Sequence, residues 1–414
     1  MANGLNSPVM SEIESPPSAH KDPIRGQFWT LWSATLINRL GTFVVPFMIL
    51  FLTESRSFSV TEAAFVVSIL GAGTLVGGAS GGVLSDILGR KPMIIATLTG
   101  GALLIALFVS MQSYLSLVIV AFFMGMTLDA YRPVAAAAIV DTTSEQNRAK
   151  AFGYLAWAGN VGATVAPLMG GFLIAYFSYA VAFYADAAAC LGAAVTILFF
   201  YKSKPSLHEK HRVKVHSYLV ALKNVPRGFI IYLALIFMGG MVGTQTFATL
   251  PLSIVDAGMN ETSYGIVMGS AGALALILGL PAARWIPLLR KSTVLSASFV
   301  IAGFGFAIFL FADTLWIYIA GIMVWMCGVI IFMPLGPTIA QHLAGDVGPG
   351  FVQSMYATAH GMAALFGPLL GGLIYQYLGE AVLWPTCTIA VSLVGLCIWL
   401  IDRRHPDFFG APQA

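Results

Sequence analysis

Charge is what this sequence has least of. Only 9% of its 414 residues are Asp, Glu, Lys or Arg, against about 25% in an ordinary soluble domain. Hydrophobic residues make up 58%. A water-soluble fold of this length could not hide so much apolar surface, but a bilayer can. Strict period-two alternation is also missing, which excludes a membrane β-barrel. Metal-ligand spacing is absent: Cys190, Cys327, Cys387 and Cys397 all lie inside apolar runs and read as packing residues, not a disulfide set. No G-x-x-x-x-G-K-[ST] phosphate loop occurs, so direct ATP drive has no support. Residues 1–26 carry Pro8, Pro16, Pro17 and Pro23 and lack the apolar stretch of a cleavable signal peptide. They read as a disordered cytoplasmic tail.

What is present is a series of long apolar runs bounded by charge, glycine or proline. By length they give about twelve membrane-spanning helices. The expected spans are 27–52, 60–85, 91–111, 114–141, 149–173, 179–201, 226–256, 260–288, 291–311, 314–342, 350–378 and 380–402. The long polar interruption near the midpoint, 202–225, reads as a cytoplasmic linker between an N-terminal half (27–201) and a C-terminal half (226–402), with a short tail at 403–414. His208, Glu209, His211 and His216 in that linker read as part of a solvated basic loop, not as a metal cluster.

The basic residues orient the chain. With the N-terminus in the cytoplasm, the cytoplasmic segments hold Lys21, Arg25, Arg90, Lys91, Arg148, Lys150, the linker lysines and arginines, Arg227, Arg290, Lys291, Arg403 and Arg404. The outer segments hold only Arg56. This asymmetry fits the positive-inside rule and puts both termini in the cytoplasm. The halves also echo each other: "APLMGGFL" at Ala166–Leu173 returns as "GPLLGGLI" at Gly367–Ile374, and the same offset brings Arg132-Pro133 onto Met333-Pro334. Such internal symmetry marks transporters built by duplication. Gly73, Gly77 and Gly81 have the small-xxx-small spacing of a close helix contact.

Asp86, Gly89, Arg90 and Lys91 crowd the turn after the second span, in "GGVLSDILGRKPM". Here the sequence resembles the major facilitator superfamily, whose signature in this loop is G-x-L-x-D-x-x-G-R-[KR]; Gly82, Leu84, Asp86, Gly89, Arg90 and Lys91 match it. "DTTSEQNRAKAFG", Asp141–Gly153, looks like the family's link between the fourth and fifth spans. "GNVGATVAPLMGG", Gly159–Gly171, resembles its antiporter motif G-x-x-x-G-P-x-x-G-G; Gly162, Pro167, Gly170 and Gly171 fit, with Ala166 where the pattern has glycine. The resemblance covers roughly residues 27–402 and is strongest to the drug:proton antiporter-1 branch. It implies an all-α membrane protein, with twelve transmembrane helices in two six-helix bundles around a central cavity that opens alternately to each side. It also implies a cytoplasmic gate of Gly82, Asp86, Gly89, Arg90 and Asp141. In that gate Arg90 pairs with Asp141, and Asp86 faces the N-terminus of the eleventh span near Gly350, where the helix dipole favours an anion. The gate would close in the outward-facing state and break in the inward-facing one. Lys91 reads as a topological anchor. The repeated loop Pro281–Lys291 keeps bases but has no matching carboxylate, so the latch is expected to be asymmetric.

Ionisable groups at mid-bilayer depth mark function by default. Arg39 lies about 12 residues into the first span, roughly 18 Å deep. Asp129 and Arg132 share one face of the fourth span at i, i+3. Together Asp129, Arg132 and Arg39 form the expected proton-coupling group, with a static buried ion pair as the competing reading. Arg284 is a third arginine inside an apolar run, and Asp186 in the sixth span is expected to be structural. Further candidates for the cavity wall are Asn38, Tyr131, Tyr154, Trp157 and Asn160 in the first half, and Gln245, Trp325, Gln353, Tyr356 and His360 in the second. His360 reads either as a proton relay or as packing.

The function this supports is secondary active transport, as proton-coupled export of small lipophilic compounds. The alternative is transport of an anionic or zwitterionic metabolite, because two deep arginines outnumber one acid. A non-transporting sensor or enzyme has no nucleophile–base arrangement to support it. The expected partners are a small-molecule substrate, protons and the lipid bilayer, with no cofactor, metal or nucleic acid. The protein is expected to work as a monomer in a bacterial inner membrane.

Overall fold

The computed structural model describes residues 24, 26–202, 225–286, 289–345, 347–405 and 408–409. The expected N-terminal tail, nearly all of the linker with its His208–His216 cluster, and the end of the C-terminal tail lie outside the described residues, as does the side chain of Arg284.

Among the described residues, twelve helices are long and apolar enough to cross a membrane. Spans 1 to 6 are Gly26–Ser55, Val60–Leu88, Arg90–Ser110, Tyr114–Thr142, Glu145–Tyr176 and Tyr179–Phe200. Spans 7 to 12 are Arg227–Asp256, Glu261–Gly279, Lys291–Phe309, Leu315–Ala344, Gly350–Leu378 and Glu380–Arg404. They form two bundles whose neighbour relations repeat. Span 3 packs on spans 4 and 6, as span 9 packs on spans 10 and 12. Spans 1 and 5 meet, as do spans 7 and 11. The bundles join through spans 5 and 8 on one side and spans 2 and 11 on the other.

Glycine sets the helix separations. In lipid no hydrophobic drive pulls helices together, so close backbone approach through small residues has to do it. A side chain at Gly73, Gly77 or Gly81 would run into the backbone at Phe122, Met126 or Ala130, four residues apart on span 4. The small-xxx-small reading of span 2 thus describes its contact with span 4.

The bundles touch mainly toward one end. Thr61 N–H donates to Gln376 Oε1 (2.7 Å), Leu369 N–H to Ser68 Oγ (3.0 Å), Thr262 Oγ1 to the Gly171 carbonyl (3.3 Å), and Tyr179 O–H to Glu261 Oε1 (2.9 Å). All four lie at or toward the end that carries Arg56. The opposite end gathers Arg90, Lys91, Arg148, Lys150, Lys202, Arg227, Arg290, Lys291, Arg403 and Arg404, and is called the basic end below. No ion pair joins the bundles among the described residues.

Span 1 is not the continuous helix expected over 27–52. It runs Gly26–Leu40, breaks at Gly41–Phe43, resumes at Val44–Leu50 and finishes in a wide turn at Phe51–Ser55. The break takes amide groups out of the helical ladder, and an unpaired amide in the membrane costs several kcal/mol. Phe43 N–H turns back to the Gly41 carbonyl (2.8 Å), and Asp186 of span 6 supplies the rest: one carboxylate oxygen accepts from the N–H groups of both Phe43 and Val44, each at 3.0 Å. Pro46 in the first turn of the resumed helix needs no amide partner. Span 7, the counterpart of span 1, is also interrupted, at Thr244 and Thr249. There the backbone keeps bonding across the joints, Ala248 N–H to Thr244 and Ser253 N–H to Thr249. The offset that maps Arg132 onto Met333 maps Asp186 onto Cys387, so the cap exists only where a break needs one. The structural role expected of Asp186 is this cap. We predict that Asp186→Ala lowers folding stability by about 2 kcal/mol, from a lost charged acceptor and the orphaned Val44 amide, with Asp186→Asn milder. Thermal unfolding in detergent checks this; an unchanged midpoint for Asp186→Ala refutes it.

Candidate functional site: a charged centre between two bundles

The three deep charges gather where span 1 breaks. Arg39 occupies the last turn of the first helical piece, where the helix dipole favours a cation. Its guanidinium has no hydrogen-bond or ion-pair partner among the described residues, and it lies within electrostatic reach of both Arg132 and Asp129. Arg132 Nη1 meets Asp129 Oδ1 at 3.4 Å, a loose pair in which the arginine side chain is 69% exposed and the carboxylate 27%. Gly78 on span 2 makes room for that carboxylate: a Cβ there would stand 2.8 Å from Asp129 Oδ2.

Two expected wall residues turn out to be ties that hold this centre. Tyr131 is buried and its hydroxyl meets Thr35 Oγ1 at 2.7 Å, joining span 4 to span 1 one turn before Arg39. Adjacent helix positions point about 100° apart, so Tyr131 cannot share the face of Asp129 and Arg132. Asn38 Nδ2 donates to Cys190 Sγ (3.3 Å), which reaches Asp186 Oδ1 (3.7 Å). Cys190 is therefore a polar link as well as a packing residue. Tyr154 and Trp157 join Trp29 and Trp32 in an aromatic group on spans 1 and 5, Trp157 stacking on Trp32 at 6.1 Å. Asn160 is half-buried at the junction with span 8, where its Nδ2 faces Gly279.

The second bundle holds a half-open cavity of about 270 Å³. Phe247, Phe299, Phe306, Trp325, Phe332 and His360 line it, with Thr244 and Ser298 as further polar residues. Both hydroxyls are already satisfied by backbone carbonyls, of Met241 (2.7 Å) and Leu295 (2.6 Å). The His360 ring nitrogens have no hydrogen-bond partner among the described residues, and the ring lies edge-on to Tyr356 at 4.8 Å. A Cβ on the neighbouring Gly361 would strike Leu75 of span 2, so this wall lies beside the first bundle. The sequence reading had Trp325, Tyr356 and His360 in this region but missed the phenylalanines. Their signal was the i, i+7 spacing of Phe299 with Phe306 and of Trp325 with Phe332. Gln245 is not on the wall. It is buried, its amide donating to the Gly367 (2.8 Å) and Met241 (3.1 Å) carbonyls, and it fastens span 7 to span 11. Gln353 lies apart from the cavity, in an open groove with Thr338, Gln341 and His342 toward the basic end.

The loop between spans 2 and 3 is built as expected inside its own bundle. Gly89 has φ of +92°, open to glycine and costly for other residues. Arg90 donates to Asp141 Oδ2 (3.1 Å), to Ser85 Oγ (2.6 Å) and to Asp86. Lys91 donates to the Leu198 carbonyl at the end of span 6 (2.8 Å), the anchor role expected of it. Among the described residues Asp86 pairs with Arg90 alone and makes no hydrogen bond or ion pair to span 11. The Arg90–Asp141 pair is formed in this structure. Gly82 makes no close contact; Gly81 is the one pressed on span 4. In the second bundle Arg290 pairs with Asp402 of span 12 (2.8 Å), a clamp the loop sequence did not reveal.

The fifth-span motif explains the joint between spans 1, 5 and 8. A Cβ on Gly162 would strike the backbone of Arg39, and one on Gly170 the ring of Phe47. Gly171 lies against the Glu261–Thr262 backbone, and the Pro167 carbonyl against Gly265. Ala166 is buried in the same seam.

A profile of the Major Facilitator Superfamily matches residues 31–349 and 248–408. The chain belongs to the Major Facilitator Superfamily. It is similar to multidrug resistance protein 2 of Bacillus subtilis, 25% identical over 84% of this chain and 88% of that protein. It is 24% identical to quinolone resistance protein NorA of Staphylococcus aureus, over 92% and 97%. It is 23% identical to the class B tetracycline resistance protein of Escherichia coli, over 80% and 82%. Among solved structures, the nucleoside transporter NupG superposes with a TM-score of 0.76 at 13% identity, over 91% of this chain and 99% of that one. A peptide transporter, POT, gives 0.74 at 14% identity, over 92% and 96%. These two share the fold. The chain is thus an integral membrane transporter of small molecules.

We predict that Gly162→Val, which must push span 1 away at Arg39, abolishes transport, whereas Gly159→Ala, facing open space, leaves it within twofold. Uptake into vesicles, with both variants checked for equal expression, tests the pair.

Proposed function

We propose that the protein exports small lipophilic compounds in exchange for protons, by alternating access, with Asp129 as the proton carrier. The observation that carries this is the loose Asp129–Arg132 pair at 3.4 Å beside Arg39. A carboxylate held so weakly, and reachable at mid-span, exchanges a proton when its arginine moves to another partner. The named drug-resistance relatives support the substrate range and direction.

The basic end is read as cytoplasmic, with both termini there, in a bacterial inner membrane. The bundles then meet on the outer side and part on the inner, an inward-facing state. Closure would bring Asp86 to the start of span 11 while the Arg90–Asp141 pair stays formed. The gate residues are Gly82, Asp86, Gly89, Arg90 and Asp141, and the unit is a monomer of two bundles, 27–201 and 226–402, joined by the 202–225 linker. Its substrates leave chemically unchanged.

A second reading, transport of an anionic or zwitterionic metabolite, is favoured by the unpaired guanidinium of Arg39. The test is reconstitution in liposomes with an internal pH-sensitive dye. Drug-driven proton movement is expected with the native chain and at least tenfold less with Asp129→Asn. Equal proton movement in the variant would falsify the role of Asp129; a response to metabolite anions alone would move the reading to the alternative.

A further inference from the structure

The cavity of the second bundle and the charged centre of the first face each other, and their chemistry is complementary to one class of solute. The cavity wall is aromatic and has no acidic residue. Its two hydroxyl protons are already donated to backbone carbonyls. It offers the imidazole of His360, and the next residue, Gly361, packs on Leu75 of span 2, one turn before the Gly78 that lies against Asp129; Arg132, paired with that carboxylate, has most of its side chain exposed. Asp129 pairs with Arg132 alone and Arg39 has no ion-pair partner among the described residues, so the centre holds two guanidiniums and one carboxylate and is net positive. In a low-dielectric space that excess acts over several ångströms.

We infer that this site takes a planar aromatic acid, its ring in the Phe299–Phe306–Trp325–Phe332 cavity and its carboxylate toward His360 and Arg132. The inference deepens the export reading and rests on it. An aromatic wall alone would also suit an organic cation, through the ring faces. Cation recognition of that kind needs the surrounding field to be neutral or negative. Here the charged centre holds two arginines to one acid, Asp129, which is itself paired with Arg132. A carboxylate instead gains a guanidinium that can bind it through two parallel N–H groups. The pairing also links substrate to proton: an anion that draws Arg132 away from Asp129 leaves that carboxylate free to pick up a proton.

The test uses the full chain in nanodiscs of uncharged phosphatidylcholine, titrated with three probes on one ring: 2-naphthoate, 2-naphthamide and 2-naphthylmethylammonium. Naphthoate is expected to bind tightest, at least tenfold tighter than the ammonium. Arg132→Gln should cost naphthoate about tenfold and the amide less than twofold, with His360→Gln acting in the same direction. Naphthoate should also protect V329C, in the cavity wall, from a small thiol reagent over the native cysteines. Ammonium binding as tight as naphthoate, indifference of naphthoate to both substitutions, or an unprotected V329C overturns the inference. The same probes in the dye-loaded liposomes separate the two readings. Proton movement driven best by the ammonium keeps export and removes the acid site. Naphthoate binding without proton movement keeps the site and removes coupled export.

Discussion

A backbone inside lipid must find every hydrogen-bond partner within the protein, and the first span breaks that continuity halfway across. Everything at the centre follows from how the break is tolerated. Asp186 takes up the Val44 amide and shares that of Phe43 with the Gly41 carbonyl, so the first piece can end at Leu40 with Arg39 in its last turn. Thr35 and Tyr131 then fix that piece to span 4, and Gly162 lets span 5 press against it. The three deep charges are held near one another by these contacts, not by a strong ion pair of their own. That is why Asp129 and Arg132 can stay loosely coupled at 3.4 Å without loss of position.

The two halves share a plan but divide the work. The first bundle carries the membrane-depth charges and the capped break. The second carries the aromatic cavity, and its interrupted span keeps its backbone ladder through Thr244 and Thr249. Duplication explains the shared neighbour relations; the replacement of Asp186 by Cys387 at the matching position shows where the copies parted. A broken helix and its cap had to diverge together, since a carboxylate facing an unbroken ladder would be buried without donors.

Much of this was legible in the chain before any coordinates. Span number follows from length and hydropathy, and the glycine register of span 2 follows from its four-residue spacing. The Asp129–Arg132 pair follows from i, i+3 geometry, and Arg90–Asp141 from the loop signature. What stayed hidden depends on partners far away in sequence. Gly41-Thr42-Phe43 holds no proline, and the residue that permits the break lies more than a hundred positions on. Gln245 and Tyr131 look like polar groups seeking substrate until the Gly367 carbonyl and Thr35 are placed against them. The cavity phenylalanines were hidden for the opposite reason: in a chain this apolar, aromatics at helical spacing are too common to single out.

The hydrogen bonds between the bundles have an energetic scale of their own. Four join them among the described residues, with no ion pair, beside the packing of span 5 on span 8 and of span 2 on span 11. Such bonds contribute about 0.5–1.5 kcal/mol each, or roughly 2–6 kcal/mol together. One elementary charge crossing a potential of about 150 mV releases about 3.5 kcal/mol. The polar part of the joint is of the size that the passage of one ion can deliver. Interlocked salt bridges in the same place would have held the molecule shut against any physiological gradient.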